Sequence, residues 1–331
     1  MDTAEANIST QQETPSSKFG PTVPVGRFAP SPSGRMHLGN IYAALLAWLS
    51  VKSQNGRMLM RIEDLDPRSA RSEYAAQLLR DLEWLGLTWD GEVVYQHNRL
   101  EYYEAAFDEL QQLGLLYPCF CTRAELHAAS APHASDNTPR YPGTCAHLSP
   151  AELAARTQLR SPAYRLRVPQ AVYSAHDAVQ GQIATHLAQC CGDFLVRRSD
   201  GVFAYQLVVC VDDAAMGVTD IVRGRDLLDS VPRQLYLQEL LDLPHPRYAH
   251  VPLLVAPDGR RLAKRDRDLD MAALRERFKT PQALLGWLAY ITGMVDVNEP
   301  LLATDLLQGF SWDAMCKRRH DIVIDGSLLF A

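Results

Sequence analysis

Arg27-Phe28-Ala29-Pro30-Ser31-Pro32-Ser33-Gly34-Arg35-Met36-His37-Leu38-Gly39-Asn40 is the stretch whose reading decides the fold. Val23 to Ala29 predicts a short strand, Pro30 to Gly34 a turn, and His37 to Ser53 a helix whose apolar positions cover most faces and so demand burial. A second strand follows at Met58 to Ile62. After it, Asp66-Pro67 reads as an N-cap with proline at the first helical position, opening a helix to about Leu85. Strand, turn, helix, strand is the order of a parallel βαβ unit, in which ligands collect at the carboxyl ends of the strands. The helix N-terminus offers unpaired N–H groups and a partial positive charge, which suits phosphate. His37 in the first turn is a donor toward such a phosphate, and Gly39 leaves room for a flat ring against the backbone.

Composition narrows the class. The chain has 331 residues, 47% apolar and 22% charged, as expected for a folded globular protein with roughly two domains. Its 33 basic and 39 acidic side chains give a net charge of −6, which argues against coating nucleic acid non-specifically but permits a local basic patch. The longest apolar run, Ile41 to Val51, falls short of the roughly 20 residues of a membrane-spanning helix. The N-terminal segment is polar and carries no apolar signal core, so the expected location is the cytoplasm, with no membrane partner. Seven cysteines without a secretion signal point to reduced thiols or a metal site rather than disulfides.

Further along, helices are expected at Leu100–Leu113, Ala124–Ser130 and Pro150–Thr157, then strands at Tyr164–Val168, Phe194–Val196, Ala204–Val211 and Ile221–Val222. A helix at Ser230–Leu241, a strand at His250–Val255 and helices at Met271–Phe278, Pro281–Thr292 and Thr304–Gly309 complete the pattern. The expected organisation is a polar tail (1–22), a Rossmann-type first half (23–115), a metal-bearing insertion (116–200), a second half (201–247) and a basic loop with a helical stem (248–331). Three cysteines, Cys119, Cys121 and Cys145, sit in the loop-rich, weakly periodic insertion, a setting for a structural metal that needs a fourth ligand. His133 and His147 are candidates for it, beside Tyr141. A cationic run, with five bases and one acid from Arg260 to Arg267, follows the Pro257-Asp258-Gly259 turn and is suited to closing on polyphosphate. Arg27 and Arg223 are guanidinium candidates for a substrate carboxylate, and Glu63 with its acidic neighbours is a candidate acceptor for an ammonium.

The fourteen-residue stretch resembles the "HIGH" signature of class I aminoacyl-tRNA synthetases, and its Arg-Phe-Ala-Pro-Ser-Pro-Ser-Gly opening is similar to the glutamyl and glutaminyl branch. The resemblance implies an α/β fold with a Rossmann-type parallel sheet, a zinc-containing insertion and a C-terminal helical stem. It implies that Arg27, Phe28, Ala29, Pro30, Ser31, Glu63, Tyr205 and Arg223 contact glutamate, and that His37, Gly39, Asn40 and Lys264 serve ATP, with Mg²⁺ accompanying the nucleotide. Arg261-Leu262-Ala263-Lys264-Arg265 falls on the "KMSKS" loop, with Lys264 on its second lysine. Arg261, Ala263 and Arg265 depart from the signature there. Cys119, Cys121, Tyr141 and Cys145 fall on the Cys-x-Cys, Tyr-x-x-x-Cys zinc pattern of the glutamyl-Q tRNA(Asp) synthetase family. Too little chain follows Arg265 for the large helical anticodon-binding domain of a full glutamyl-tRNA synthetase, which favours that truncated family. The implied activity is ATP-dependent, tRNA-independent activation of glutamate and its transfer to queuosine in the anticodon of tRNA(Asp), by a monomer. The rival expectations are a 3′-end-charging glutamyl-tRNA synthetase without its last domain, and a non-catalytic zinc-stabilised RNA-binding protein.

Overall fold

The computed structural model describes residues 23–122, 125, 140–260, 262, 269–317 and 319–324. The expected tail (1–22), the expected helix over 124–130 apart from residue 125, His133 and Lys264 lie outside the described residues.

The chain opens with β1 (Val25–Phe28), α1 (Leu38–Lys52), β2 (Arg57–Ile62), α2 (Ser72–Trp84) and β3 (Val93–Tyr95). β1, β2 and β3 are parallel, with Arg27 opposite Leu59 and Arg61 opposite Val94. α1 is buried along most of its length, from Leu38 and Ile41 through Leu49 and Val51, as its all-round apolar pattern requires. α3 (Leu100–Gln112) leads into β4 (Leu116–Cys119), and then come α4 (Pro150–Leu159) and β5 (Ala163–Leu166). α4 starts with a capping box, in which Ser149 Oγ accepts from Glu152 N and Glu152 accepts from Ser149 N.

β6 (Val172–Asp177) and β7 (Gly181–His186) form an antiparallel hairpin that the sequence reading does not anticipate; Gly181, at φ 82°, supplies the left-handed turn residue. After the short α5 (Leu187–Cys190), β8 (Phe194–Arg197) pairs antiparallel with β5, so that β4, β5 and β8 make a small separate sheet. α6 (Tyr205–Ala215), β9 (Asp220–Gly224), α7 (Val231–Leu240) and β10 (Arg247–Val251) return the chain to the parallel framework, with β10 between β9 and β6. β9 begins against β1, where Thr219 N donates to Val25 O (2.8 Å) and Thr219 Oγ1 accepts from Val25 N (2.9 Å). The parallel sheet β1-β2-β3 and the mixed sheet β7-β6-β10-β9 therefore abut between the first strand and a strand nearly two hundred residues later. In an open α/β sheet this is the switch point where ligands bind. β11 (Leu254–Val255), α8 (Met271–Phe278), α9 (Pro281–Ile291), α10 (Trp312–Cys316) and β12 (Ile322–Val323), which pairs with β11, close the fold. The main apolar core lies between α1, β1, β2 and the helices after residue 269.

Four local expectations are corrected. Ala204–Val211, expected as a strand, is the start of α6: the run from Leu207 to Asp213 is buried throughout, and a short buried run has no period that separates strand from helix. The helix expected from Asp66 starts only at Ser72. Asp66 caps no helix; its carboxylate accepts from Arg68 (2.9 Å) and from Arg198 Nη1 (2.6 Å), a tie to the turn after β8. The strand expected over His250–Val255 is broken into β10 and β11, and only a short 3₁₀ turn, Ala303–Leu306, occupies the expected last helix.

Candidate active site and metal centre

β1 ends where the Pro30–Gly34 turn begins, and the turn is fixed from β2 and its following loop. Glu63 N donates to Pro30 O (3.0 Å), and Arg71 N donates to Pro32 O (3.0 Å). The chain then enters α1 with Asn40 Oδ1 accepting from His37 N (3.1 Å). A side chain at position 39 would press its Cβ to 3.1 Å from His37 Cε1, so the space left by Gly39 is what the imidazole itself uses. His37 also bridges to Asp270, and Met271 N donates to Met36 O (2.9 Å). Leu262 N donates to Leu254 O (3.4 Å). Residues on both sides of the undescribed part of the basic run are thus tied to the walls of one cleft.

That cleft, about 520 Å³, is lined by Arg27, Phe28, Ala29, Pro30, Ser31, His37, Gly39, Asn40, Glu63, Tyr205 and Arg223. Every described residue that the sequence reading assigns to glutamate or ATP therefore lines the same cavity. They come from β1, its turn, the start of α1, the end of β2, the start of α6 and β9.

The charges behind the cleft are layered. Arg61, fully buried, donates from Nη1 to Asp213 Oδ1 (2.6 Å) and from Nη2 to Glu63 Oε1 (3.2 Å), with Nε 3.6 Å from Asp212 Oδ2. Burial opposes its charge, but Asp213, Glu63 and Asp212 outweigh that and raise its pKa. Asp212 is satisfied from its other side by Arg99 Nε (2.6 Å), Gln96 Nε2 (2.9 Å) and Tyr103 OH (2.9 Å). Arg27 is less well compensated. Its Nη1 donates to Val222 O (3.2 Å), its Nε lies 3.4 Å from Asp213 Oδ1, and burial pulls its pKa down although Asp213 opposes this. Glu63 is held above the ordinary carboxyl range by burial, against the pull of Arg61 and Arg27.

Arg223 differs from both. Its partners are all uncharged: Nε donates to His250 Nε2 (2.9 Å), Nη1 to Tyr205 OH (3.3 Å), and Nη2 to Gln234 Oε1 (2.8 Å) and Leu227 O (3.4 Å). A guanidinium has five N–H donors, so one Nη1 hydrogen remains for a ligand. Tyr205, having accepted from Arg223, can donate its own hydroxyl hydrogen. The pair presents two donors to the cleft, a fork matched to a carboxylate. Arg61, His250, Asp177 and Gln234 carry no role in the sequence reading; each acts through partners brought in by the fold, and no local spacing marks them.

In the small sheet, the Cys119, Cys121 and Cys145 sulfurs all lie within 4.8 Å of one another, the single such His/Cys/Asp/Glu group containing cysteine among the described residues. Cys121 Sγ and Cys145 Sγ are 3.6 Å apart, and Tyr141 OH lies 3.6 Å from Cys119 Sγ and 3.9 Å from Cys121 Sγ. A tetrahedral zinc with Zn–S of about 2.3 Å has sulfur–sulfur edges of about 3.8 Å, so these donors fit such an ion. His147 is exposed and outside the group. Arg165, buried, donates from Nε to Cys119 Sγ (3.2 Å) and stacks its guanidinium 3.7 Å from the centre of the Tyr141 ring. Burial would raise the Cys119 thiol, but the Arg165 and Tyr141 hydrogen bonds bring it below its ordinary value, toward the thiolate a metal requires.

Among the described residues no helix is long and apolar enough to cross a membrane. The family model for class I tRNA synthetases (E and Q), catalytic domain, matches residues 23–321. A glutamyl-Q tRNA(Asp) synthetase of Nitratidesulfovibrio vulgaris is 48% identical over 281 residues, 82% of this chain and 86% of the relative. That of Symbiobacterium thermophilum is 46% identical over 296 residues, 86% and 91% of the two chains. A crystal structure of a glutamate tRNA ligase from Elizabethkingia meningosepticum, in complex with its amino acid, shares the fold at a TM-score of 0.77 and 22% identity, over 93% of this chain and 68% of that one. The match over nearly all of the described chain, with close relatives along most of their own length, makes this protein a ligase of the aminoacyl-tRNA synthetase type that belongs to the glutamyl-Q tRNA(Asp) synthetase family.

Proposed function

We propose that this chain activates glutamate with ATP, without needing tRNA, and transfers the glutamyl group to the queuosine base in the anticodon of tRNA(Asp), acting as a monomer in the cytoplasm. The observation that carries the reading is Arg223: a buried guanidinium with only neutral partners, opening with Tyr205 onto the cleft, calls for an anion from outside the protein. Glutamate supplies it with its side-chain carboxylate. Arg27 supports the same anion, Glu63 accepts from the ammonium, and the turn from Phe28 to Ser31 encloses the rest.

In the first step the α-carboxylate of glutamate attacks the α-phosphorus of ATP, a mixed anhydride forms and pyrophosphate leaves. No protein nucleophile is required; the chain aligns the reactants and offsets charge on the phosphates. His37, Gly39 and Asn40 at the mouth of α1 hold the nucleotide, and Lys264 meets the departing pyrophosphate. Mg²⁺, arriving with ATP, supplies further neutralisation of the phosphate charge. In the second step a hydroxyl of the queuosine cyclopentenediol attacks the anhydride carbonyl and AMP leaves. A modified nucleoside in an anticodon loop can be unstacked and read by shape and hydrogen bonds. Cys119, Cys121, Cys145 and Tyr141 hold a structural zinc that braces the insertion (116–200), and residues 248–331 supply the basic loop and the stem.

The test is glutamate transfer to tRNA(Asp) with and without queuosine, and after periodate cleavage of the diol, alongside glutamate-dependent ATP–pyrophosphate exchange without tRNA. The expected result is exchange without tRNA, and transfer only to intact queuosine. Transfer to a 3′ end, or exchange that needs tRNA, would sink the proposal in favour of ordinary charging.

A further inference from the structure

A buried cation held by neutral groups needs something to keep it in one orientation. Behind Arg223 lies a buried relay. Arg223 Nε donates to His250 Nε2 (2.9 Å), and His250 Nδ1 lies 2.6 Å from Asp177 Oδ2. His250 and Asp177 are both almost fully buried. The three residues come from three neighbouring strands, Asp177 from β6, His250 from β10 and Arg223 from β9. Because a guanidinium can only donate, Nε2 must be the unprotonated nitrogen, and the ring proton must sit on Nδ1 and point to Asp177. We propose that Asp177 and His250 are positioning residues for substrate recognition: the carboxylate fixes the imidazole as the Nδ1–H tautomer, so that Nε2 anchors Arg223 and turns its remaining Nη1 hydrogen toward the carboxylate of glutamate. The inference rests on the assignment of Arg223 to glutamate.

The surroundings support a neutral, locked ring. Asp177 Oδ1 accepts from Val179 N (2.9 Å) and Gln180 N (2.8 Å), and His250 N lies 3.1 Å from both Oδ1 and Oδ2, so the carboxylate is held in place with Oδ2 toward Nδ1. Gln180 Nε2 donates to His250 O (2.8 Å), and the Tyr248 ring stacks on the imidazole at 6.0 Å between centroids. The charged groups that act on His250 are Asp177, Arg223 and Arg27; burial first, then the two arginines, hold its pKa below the ordinary value against Asp177. Arg223's other edge is fixed separately, by Gln234, whose Nε2 donates to Gln206 Oε1 (3.0 Å), while Gln206 Nε2 donates to Ser230 Oγ (3.0 Å).

Asp177→Asn is the discriminating substitution. Its Oδ1 still accepts from Val179 N and Gln180 N, so its amide NH₂ takes the place of Oδ2 and faces Nδ1. The imidazole must then accept there and carry its proton on Nε2, against Arg223 Nε–H. A wrong tautomer with otherwise kept geometry is how the corresponding Asp→Asn change disables a Ser-His-Asp triad. The measurements are glutamate-dependent pyrophosphate exchange, with and without tRNA, and long-range ¹H–¹⁵N correlation of histidine-labelled protein, with His250→Gln identifying the signal. The expected result is an Nδ1–H ring in the native protein and an Nε2–H ring in Asp177→Asn. The variant's KM for glutamate should rise about 10- to 100-fold, the loss of one hydrogen bond to a charged group, with KM for ATP unchanged. If Asp177→Asn does not fold, His250→Gln and His250→Leu decide: the glutamine offers Arg223 an acceptor and should keep most of the affinity that leucine loses, and equal KM values in the two overturn the inference. An Nε2–H ring in the native protein overturns it directly. Arg223→Gln separates the two levels. A raised KM for glutamate there, with a native KM in Asp177→Asn, overturns the relay alone; an unchanged KM in Arg223→Gln overturns the role of Arg223, and the inference with it.

Discussion

Arg61→Met tests whether the charged layer behind the cleft is a strut or a convenience. The substitution keeps an apolar stem of similar length and removes the guanidinium from a site with no solvent exposure. Three carboxylates then lose a partner at 2.6, 3.2 and 3.6 Å. Removing one member of a buried ion pair costs about 3–5 kcal/mol, because the other charge stays buried without compensation. Two facts place this case at the low end of that range. Asp212 retains Arg99, Gln96 and Tyr103, and Asp213 retains Arg27. Glu63 loses its direct hydrogen bond, so we expect a deficit of about 3 kcal/mol at neutral pH. The pH dependence has a definite sign. Glu63 is already held above the ordinary carboxyl range by burial, and Arg61 is the leading influence pulling it back down. Without Arg61 its pKa climbs further in the folded state, so folding of the variant takes up a proton more readily than folding of the native chain. The deficit is then largest above that raised pKa and shrinks as pH falls through it. Urea unfolding followed by tryptophan fluorescence and by far-ultraviolet circular dichroism, at several pH values, measures both quantities. A loss below about 1 kcal/mol, the size of an exposed pair, or a deficit that widens on acidification, would refute the reasoning.

Other predictions bear on the metal, the basic loop and the packing. Purified protein should carry one zinc per chain, and its removal, or Cys145→Ser, should speed amide exchange at Phe120, whose N–H donates to Cys145 Sγ (3.4 Å), while β1 and β2 stay protected; equal exchange with and without metal would count against a bracing role. Arg165→Met should hasten zinc loss to a chelator about 10- to 100-fold, as is usual for partners that orient metal ligands, and an unaltered rate would detach Arg165 from the site. Lys264→Ala should lower pyrophosphate exchange about 100-fold or more with little change in KM for glutamate, and native exchange would remove the lysine from the reaction. In Gly286→Ala the new Cβ would collide with Glu299 O, so stability should fall by about 1–3 kcal/mol through overpacking, without altered KM values; a native melting temperature would contradict that packing.

What the sequence discloses is what neighbours in the chain can encode. The Arg27–Asn40 stretch specifies strand, turn and buried helix through local means: proline and glycine at the turn, and continuous apolar residues after His37. Glu63, Tyr205 and Arg223 follow from the family resemblance of the short stretches around them, and the fold brings them to one cleft. The supporting charges were not legible because their meaning lies in pairing across the fold. Arg61 and Asp213 are 152 positions apart, and His250 and Asp177 are 73 apart. The same limit explains α6. Phe203 to Val211 is apolar enough for a strand, and what settles the helix is the burial of Asp212 and Asp213 against Arg61, Arg27 and Arg99, none of them nearby in sequence. The β6–β7 hairpin has a readable signal in Gly181, but the alternation of its strands is diluted by apolar residues on the exposed face, Val172 and Ala184.

The three buried arginines at and behind the cleft, compared by what neutralises them, divide the labour of the site. Arg61 faces three carboxylates and is fully buried, so its charge is spent within the protein. Arg27 shares one carboxylate, at 3.4 Å, with Arg61. Arg223 has none among its hydrogen-bond partners. A buried guanidinium compensated by acids is a brace, since any arriving anion would compete with fixed partners at short range. One compensated by neutral dipoles is a receptor, because an arriving anion meets an unspent charge in a medium that screens it weakly. The gradient from Arg61 through Arg27 to Arg223 runs from the closed layer toward the open cleft. It explains why the residue behind Arg223 is a neutral histidine: an acid in its place would fill the receptor from within, and an amine would repel it. An acceptor without charge, held to one tautomer, is the group that orients a cation while leaving its charge available to substrate.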